Sequence, residues 1–432
     1  MALAKGIKIV GEEPYAGNLH VRFCEGQADS NHSHYDILTQ NKMEREGCRA
    51  LSTRLMVMFN KKDPKRQQCM LTGKFRKKGY DWWWHSFTAI NRNTKEEKAF
   101  FAEFFLINPA LGGNEPIFGQ LKENKEKGIR PSYLMVKCGT WGHDAKQLHR
   151  FFGWNEVNVH MGVPFQIEAK DCYLDNERLR LKVEVKDSIN HPEWMCSDGS
   201  IEMELTMSKE ITYNVGYGAS GLFRCLKAYE MYWHAEGIKT KYFGTIIYNG
   251  EVYDVIPDKS YGYQDKNWGS NFTTPWVWLS SNCLKSNITG NILSNSAFEI
   301  GGGKPKVFGI SLDRKLLGCM YYEGKEMEFN FSKFWTGSKT SFSCGIEDGY
   351  MKWHVLQSTK KYIMESEIKC KLDEMLLVNY EDPNGDKRHN NLYNGGTGTG
   401  NIKIYEKRGK EKILIDDISA THIGCEYGEF DK

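Results

Sequence analysis

The sequence predicts an antiparallel all-β fold, closed into barrels or stacked as sandwiches, and three observations carry that prediction. Glycine (42) and the aromatics (12 Trp, 22 Tyr, 22 Phe) are abundant while proline (11) is scarce, which favours strands and tight turns over helix bundles. Turn dipeptides recur among β-rich runs. Asn249-Gly250 separates Tyr242–Tyr248 from Glu251–Ile256, and Asp198-Gly199, Glu323-Gly324, Asp348-Gly349 and Asn384-Gly385 are similar signals. Helical periodicity, finally, is rare. Successive hairpins make meanders, and a long meander hides its edges by closing or stacking. The 432 residues exceed one ordinary domain, so two β domains with few short helices are expected, spanning 1–215 and 216–432.

The elements follow in chain order. Met1–Val10 is too charged, and too short in its apolar runs, for a signal peptide. His32-Ser-His34 beside Asp36 could put two imidazoles on one strand face, but no third ligand is near; a polar loop is expected there, and no metal. Tyr35–Glu46 and Asp144–Phe152 are short helical candidates. The greasiest segment, Ala99–Ile107, is broken by Glu103, and no stretch approaches the ~18 apolar residues of a spanning helix.

Gly216-Tyr-Gly218-Ala-Ser-Gly221 is a literal G-x-G-x-x-G after the strand-like Ile211–Val215, with Glu236 near the acidic position of a dinucleotide fingerprint. It precedes the best helical stripe, Ala219–Trp233. Everything after Ile238 reads as hairpins, however, where a dinucleotide fold needs further βαβ units. An interdomain Gly-rich turn is therefore expected, with a junction near residue 215 and no cofactor. Gly395-Gly-Thr-Gly398-Thr-Gly400 lacks the Lys-Ser/Thr of a phosphate loop and reads as a flexible loop. Trp82-Trp83-Trp84, with Phe101-Ala-Glu-Phe-Phe about 20 residues on, is echoed by Trp276-Val-Trp278 and Ala297-Phe-Glu-Ile, a faint mark of two related halves.

Charge and cysteine usage narrow the partners. With 58 basic and 55 acidic residues the net charge is only +3, against nucleic-acid binding. Short basic runs such as Lys61–Arg66 and Lys74–Lys78 read as solvated, with peripheral membrane contact as the other reading. The twelve cysteines are scattered without a CxxC pair, as free thiols of a reducing cytoplasm would be.

The densest chemistry lies between Tyr229 and Ser281. If 261–268 is extended, Tyr261, Tyr263, Asp265 and Asn267 share one face, and Gln264, Lys266 and Trp268 the other. Trp276, Trp278 and Ser280 form a second row, and Tyr232, His234 and Glu236 a third. One carboxylic acid among aromatic faces is suggestive. An apolar pocket raises its pKa, so it stays protonated at neutral pH and can deliver a proton to an alkene. Aromatic faces then stabilise the developing cation by about 2 kcal/mol each when desolvated. Asp265, Tyr263, His234 and Glu236 are the catalytic candidates. Tyr232, Trp233, Asn267, Trp268, Trp276, Trp278, Trp82 and Trp84 are the substrate-binding ones. Whether Tyr263, His234 or Glu236 is the base is left open, because strand register is unknown.

Tyr263-Gln-Asp-Lys-Asn-Trp-Gly269, after the hairpin at Asn249-Gly250, resembles the Asp-His/Lys-Asn-Trp-Gly signature of the carotenoid hydratase (hydroxyneurosporene synthase) group and of the related tocopherol cyclase-like proteins. The Trp82–Phe87 strand and the terminal Gly424-Cys-Glu-Tyr-Gly428 fit the tocopherol cyclase-like pattern more loosely. The resemblance implies two lipocalin-like domains with a long apolar pocket in or between them. It also implies non-redox chemistry on C=C bonds of lipids, and proton donation by the motif Asp, here Asp265. Lys266 stands where the hydratases carry His, and no water-positioning motif is visible, so a cyclase or isomerase is expected ahead of a hydratase. A polyunsaturated fatty acid or prenylated quinol would be the substrate, with Arg224, Lys227 or Lys266 available to a carboxylate head. A lipid carrier without catalysis is the competing reading.

Overall fold

The computed structural model describes residues 67–187, 198–213, 226, 228–312, 315–385 and 388–429. His32, His34, the Tyr35–Glu46 candidate, Gly216–Gly221, Arg224 and Lys227 lie outside the described residues.

The all-β expectation holds: apart from one five-residue helix (Lys122–Glu126) and single 3₁₀ turns, the described elements are strands. The first sheet begins with β1 (Tyr80–Asn91), β2 (Glu97–Ile107), β3 (Tyr133–Thr140) and β4 (Lys146–Phe152). It continues with the short β5 (Asn158–His160), β6 (Gln166–Ala169) and β7 (Cys172–Asp175), then β8 (Arg178–Glu184) and β9 (Ser200–Tyr213). The hairpin of β10 (Met231–Tyr248) and β11 (Glu251–Val255), with β12 (Gly262–Gly269), completes it. Its path runs β4-β3-β2-β1-β11-β10-β9-β8-β7-β6-β5, with β12 bonded to β1 and β10, and every pairing is antiparallel.

The second sheet holds β13 (Trp276–Ser281), β14 (Cys283–Ser286) and β15 (Ala297–Gly303). After a two-residue ladder of β16 (Lys306–Val307) and β17 (Ile310–Ser311) come β18 (Lys315–Tyr322), β19 (Lys325–Phe329), β20 (Lys339–Glu347), β21 (Tyr350–Ser358) and β22 (Tyr362–Lys371). It ends with β23 (Leu376–Glu381) and the long pair β24 (Arg388–Arg408) and β25 (Glu411–Glu429). The path is β19-β18-β15-β13-β25-β24-β22-β21-β20.

Turn chemistry explains the hairpins. Asn249 and Gly250 both adopt positive φ (50° and 84°), as a two-residue turn between twisted strands requires, and Glu323-Gly324 and Asp348-Gly349 do the same. Three cores follow from the alternation of faces. Trp83, Phe87, Phe100, Phe104, Leu181 and Ile246 belong to the first sheet's own core. Val277, Leu279, Trp353 and Ile404 belong to the second sheet's own core. Between the sheets lies a third, unusually aromatic core containing Tyr80, Trp82, Trp84, Phe101, Phe105, Trp276 and Trp278.

The structure corrects several local expectations. Asp144–Phe152 is not a helix: Lys146–Phe152 is strand, fully paired with β3. Met231–Trp233, the end of the expected Ala219–Trp233 helix, opens β10. In both places sheet pairing overrides a weak helical stripe. The Gly395–Gly400 run is strand as well, with register shifts at Gly395, Gly398 and Gly400. A side chain at Gly396 would strike the Trp141 ring, so its glycine is there for close approach. The strands either side of residue 215, β9 and β10, pair with each other. The change of sheet comes later, between Gly269 and Trp276.

Candidate active site

Strand β12 carries Asp265, and β1 fixes its surroundings. The register sets Trp84 opposite Asp265 and Trp82 opposite Asn267. Directly opposed residues share a face, so all four side chains meet between the sheets. Asp265 is 5% exposed. Its Oδ2 accepts hydrogen bonds from Trp233 Nε1 (2.6 Å) and the Tyr263 hydroxyl (3.0 Å). Its Oδ1 has no partner among the described residues. Burial pushes the Asp265 carboxyl up to about 8, helped by the negative Glu426 and Glu103 and opposed by those two hydrogen bonds. At neutral pH the acid keeps its proton, and Oδ1 is the oxygen free to carry it.

A small cavity of about 30 Å³ opens beside Asp265. The first sheet supplies Trp82, Trp84, Met231, Asp265 and Asn267. The second supplies Trp276, Trp278, Tyr380, Leu392 and Glu426, and the connection between them supplies Phe272 and Thr273. Trp84 Nε1 and Asn267 Oδ1, both on this wall, have no partner among the described residues. Unsatisfied buried polar atoms around a cavity are where a ligand's polar group would be held.

Glu426 is the second acid. Trp276 Nε1 donates to Oε2 (2.6 Å) and Asn394 Nδ2 to Oε1. Burial raises Glu426 to about 7 against those bonds. A third carboxyl, Glu299, sits behind Tyr263. The Tyr263 hydroxyl and Trp278 Nε1 each lie 2.9 Å from its Oε1, and burial holds it well above the usual carboxylate range. Further along, Lys137 pairs with Glu103 at 2.6 Å, both fully buried, and the Tyr380 hydroxyl bonds to both.

The structure brings together Asp265, Tyr263, Asn267, Trp82, Trp84, Trp276 and Trp278, with Trp233 as a hydrogen-bond donor behind the acid. It does not bring His234 or Glu236 there. His234 opposes Lys266 on the other face of the first sheet. Glu236 is ion-paired to Lys209 at 2.8 Å. Tyr232 and Trp268 stack on each other, 5.4 Å between rings, away from the cavity lining. Lys266 also points away, as expected, but no carboxylate head can reach it. It is fully buried against Asp81, over the Trp83 ring, and burial lowers its pKa.

Sequence reasoning missed Glu426, Glu299, Phe272 and Tyr380. The signal for Glu299 was present: it is an acid inside an otherwise buried apolar strand, Ala297-Phe-Glu-Ile. Such an acid is costly to bury unless something uses it. The tryptophan echo also finds a counterpart. Trp82-Trp83-Trp84 and Trp276-Val-Trp278 lie on strands facing one cavity, and each pairs with the strand that follows it in the echo.

No curated protein matches this sequence. Among solved structures, a protein assigned as AttH from Nitrosomonas europaea aligns at 11% identity over 83% of this chain and 96% of its own, with a TM-score of 0.40. CghA, solved with Sch210972, aligns at 8% identity over 82% of this chain and 89% of its own, with a TM-score of 0.41. Overlap that loose carries no argument about this chain. A family model does, because it covers more than half of the sequence and contains both Asp265 and Glu426. By its match over residues 195–429, the chain belongs to the tocopherol cyclase-like family.

Proposed function

We propose that this chain is a cofactor-independent acid–base cyclase or isomerase acting on a C=C bond of a hydrophobic lipid. Membership of the family supports the cyclase or isomerase type. The observation that carries the finer reading is Asp265: a carboxyl protonated at neutral pH, its Oδ1 unpartnered, beside a cavity walled by four tryptophans.

Asp265 Oδ1–H delivers its proton to one alkene carbon, and the π pair forms the new C–H bond. The other carbon becomes cationic between the indole faces, which stabilise it and exclude water. Two outcomes follow. An internal hydroxyl attacks the cation, closing a ring and losing its proton to Glu426. Alternatively, Glu426 removes a neighbouring proton and the double bond moves. Trp84 Nε1 and Asn267 Oδ1 form a donor–acceptor pair suited to a hydroxyl, which favours cyclisation and a prenylated quinol over a fatty acid. A head group would rest in the adjoining cavity of about 130 Å³, which shares Met231, Phe272 and Thr273 with the first and is lined by Glu230, Lys304 and Lys306.

The test is incubation of the chain with prenylated quinols and polyunsaturated fatty acids in D₂O, read by mass spectrometry. The expected product is an isomer of the substrate in which one carbon-bound deuterium stands in place of a hydrogen. Asp265→Asn keeps both acceptor contacts of Oδ2, so it folds, and turnover falls on the order of 10²–10⁴-fold. A gain of water would assign a hydratase. Tight binding with unchanged lipid would assign a carrier, and full activity in the Asn variant would remove Asp265 as the acid.

A further inference from the structure

A second cluster of reactive side chains lies away from the cavity lining, at the other end of β12. Cys283 opens β14, and its register partner on β25 is Thr421. The Thr421 hydroxyl donates to Cys283 Sγ at 3.1 Å and lies 3.0 Å from His422 Nδ1. His422 and Tyr261 lie beside the thiol and favour its ionised form. On its far side, His422 Nε2 faces Glu97 Oε2 at 3.3 Å. The two sheets thus meet here, with Glu97 and Tyr261 beside the first and Cys283, Thr421 and His422 on the second. The Tyr261 ring covers the imidazole, 4.1 Å between centroids.

This is the arrangement of an activated nucleophile: a thiol, a base, and a carboxylate that orients the base. Two further features fit. Tyr261 and His422 both hold positive φ (43° and 51°), a conformation that bulky residues adopt at a cost and that gathers where geometry is functional. Cys283 is only half-buried, and the His422 side chain is 27% exposed, so a reagent can reach the sulfur. The charges are mutually supportive. Burial pushes the Cys283 thiol up, but His422, Thr421 and Tyr261 outweigh it and hold it below the ordinary thiol value. Burial pulls His422 down, and Cys283 and Glu97 outweigh it in the opposite direction.

We propose that Cys283, His422 and Glu97 form a second reactive centre, in which the Cys283 thiolate adds to a soft electrophile, an alkene conjugated to a carbonyl. The sulfur lone pair forms an S–C bond at the β-carbon while the C=C π pair moves toward the carbonyl as an enolate. The enolate then takes the imidazolium proton of His422 at its α-carbon. One π bond and one N–H bond are exchanged for S–C and C–H bonds, so no oxidant or reductant is needed. The side chains around Sγ are Thr421, His422 and Tyr261, with no second thiol among them, so addition rather than disulfide exchange is the chemistry they support. The centre is independent of Asp265.

The probe is N-ethylmaleimide, itself a conjugated alkene, applied to the full chain between pH 5.5 and 9 with peptide mapping of the Cys283 adduct. At pH 7, native Cys283 is expected to react several-fold faster than Cys283 in the urea-unfolded chain, because more of it is thiolate. The midpoint of its rate–pH curve falls below that of the unfolded chain. His422→Asn, which tolerates the left-handed backbone, returns the pH 7 rate to the unfolded-chain value while the melting temperature reports folding. Should that variant not fold, Thr421→Val and Glu97→Gln are read the same way, each slowing the reaction and raising the midpoint. Labelling of native Cys283 no faster than in the unfolded chain overturns the proposal. So does wild-type labelling in a folded His422→Asn, or in both Thr421→Val and Glu97→Gln where His422→Asn does not fold.

Discussion

Asp265 is buried and Glu426 half-buried beside one cavity, and their environments set their acidities apart. Burial drives both upward, but the charge of Glu426 falls on Asp265, and the two end near 8 and near 7. Pairs pushed apart in this way can divide acid and base work between them. At pH 7.5 the dominant arrangement is a protonated Asp265 facing an ionised Glu426. A bell-shaped kcat/KM profile follows, rising as Glu426 deprotonates near pH 7 and falling as Asp265 deprotonates near pH 8. The limbs belong to the pair. Glu426→Gln should lose the acid limb, keep the alkaline one and slow turnover on the order of 10²-fold or more. A profile flat from pH 6 to 9 in the unmodified chain would contradict this division.

At the scale of the strand, period two sorts the chemistry. On β12 it sends Asp265 and Asn267 to the cavity and Lys266 to Asp81 behind, so neighbours in sequence serve opposite faces. Glycine then admits the large rings. A side chain at Gly301 on β15 would come within 2.5 Å of the Trp233 ring, and one at Gly424 on β25 within 2.2 Å of Trp278. Gly301→Ala should displace Trp233, whose Nε1 holds Asp265 Oδ2, although residue 301 does not line the cavity. Overpacking of this kind costs about 1–3 kcal/mol, visible in thermal melts, with a loss of turnover beyond what the melt explains. An unchanged melt and rate would mean that Trp233 adjusts freely. This scale also marks what sequence could reveal. Alternation around Asp265 and the Asn249-Gly250 turn were legible because they depend on local periodicity. His234 and Glu236 were misplaced because that reading needs cross-strand register, and β10 shifts register between His234 and Gly237. Glu426 was invisible as a partner because some 160 residues separate it from Asp265.

For the molecule as a whole, the buried acids tax the fold. Asp265, Glu426 and Asp81 (raised to about 6) all have pKa values above their ordinary, unfolded ones. The folded chain therefore holds protons more tightly. Their contribution is fully present below about pH 4 and is lost progressively as pH rises through about 6 to 8. Urea midpoints should fall between pH 5 and pH 9, and fall less in Asp265→Asn. A midpoint that rises over that range in both proteins would contradict this accounting. The echo of two tryptophan strands, one per sheet, also becomes intelligible at this scale, since each half donates one wall.

That construction has a safeguard built into it. The proposed donor hangs from one sheet and the proposed acceptor from the other, so parting the sheets to admit solvent would also draw the two carboxyls apart. In the proposed reaction the short-lived carbon electrophile would form only with the two walls together, and the same enclosure would shield it from water.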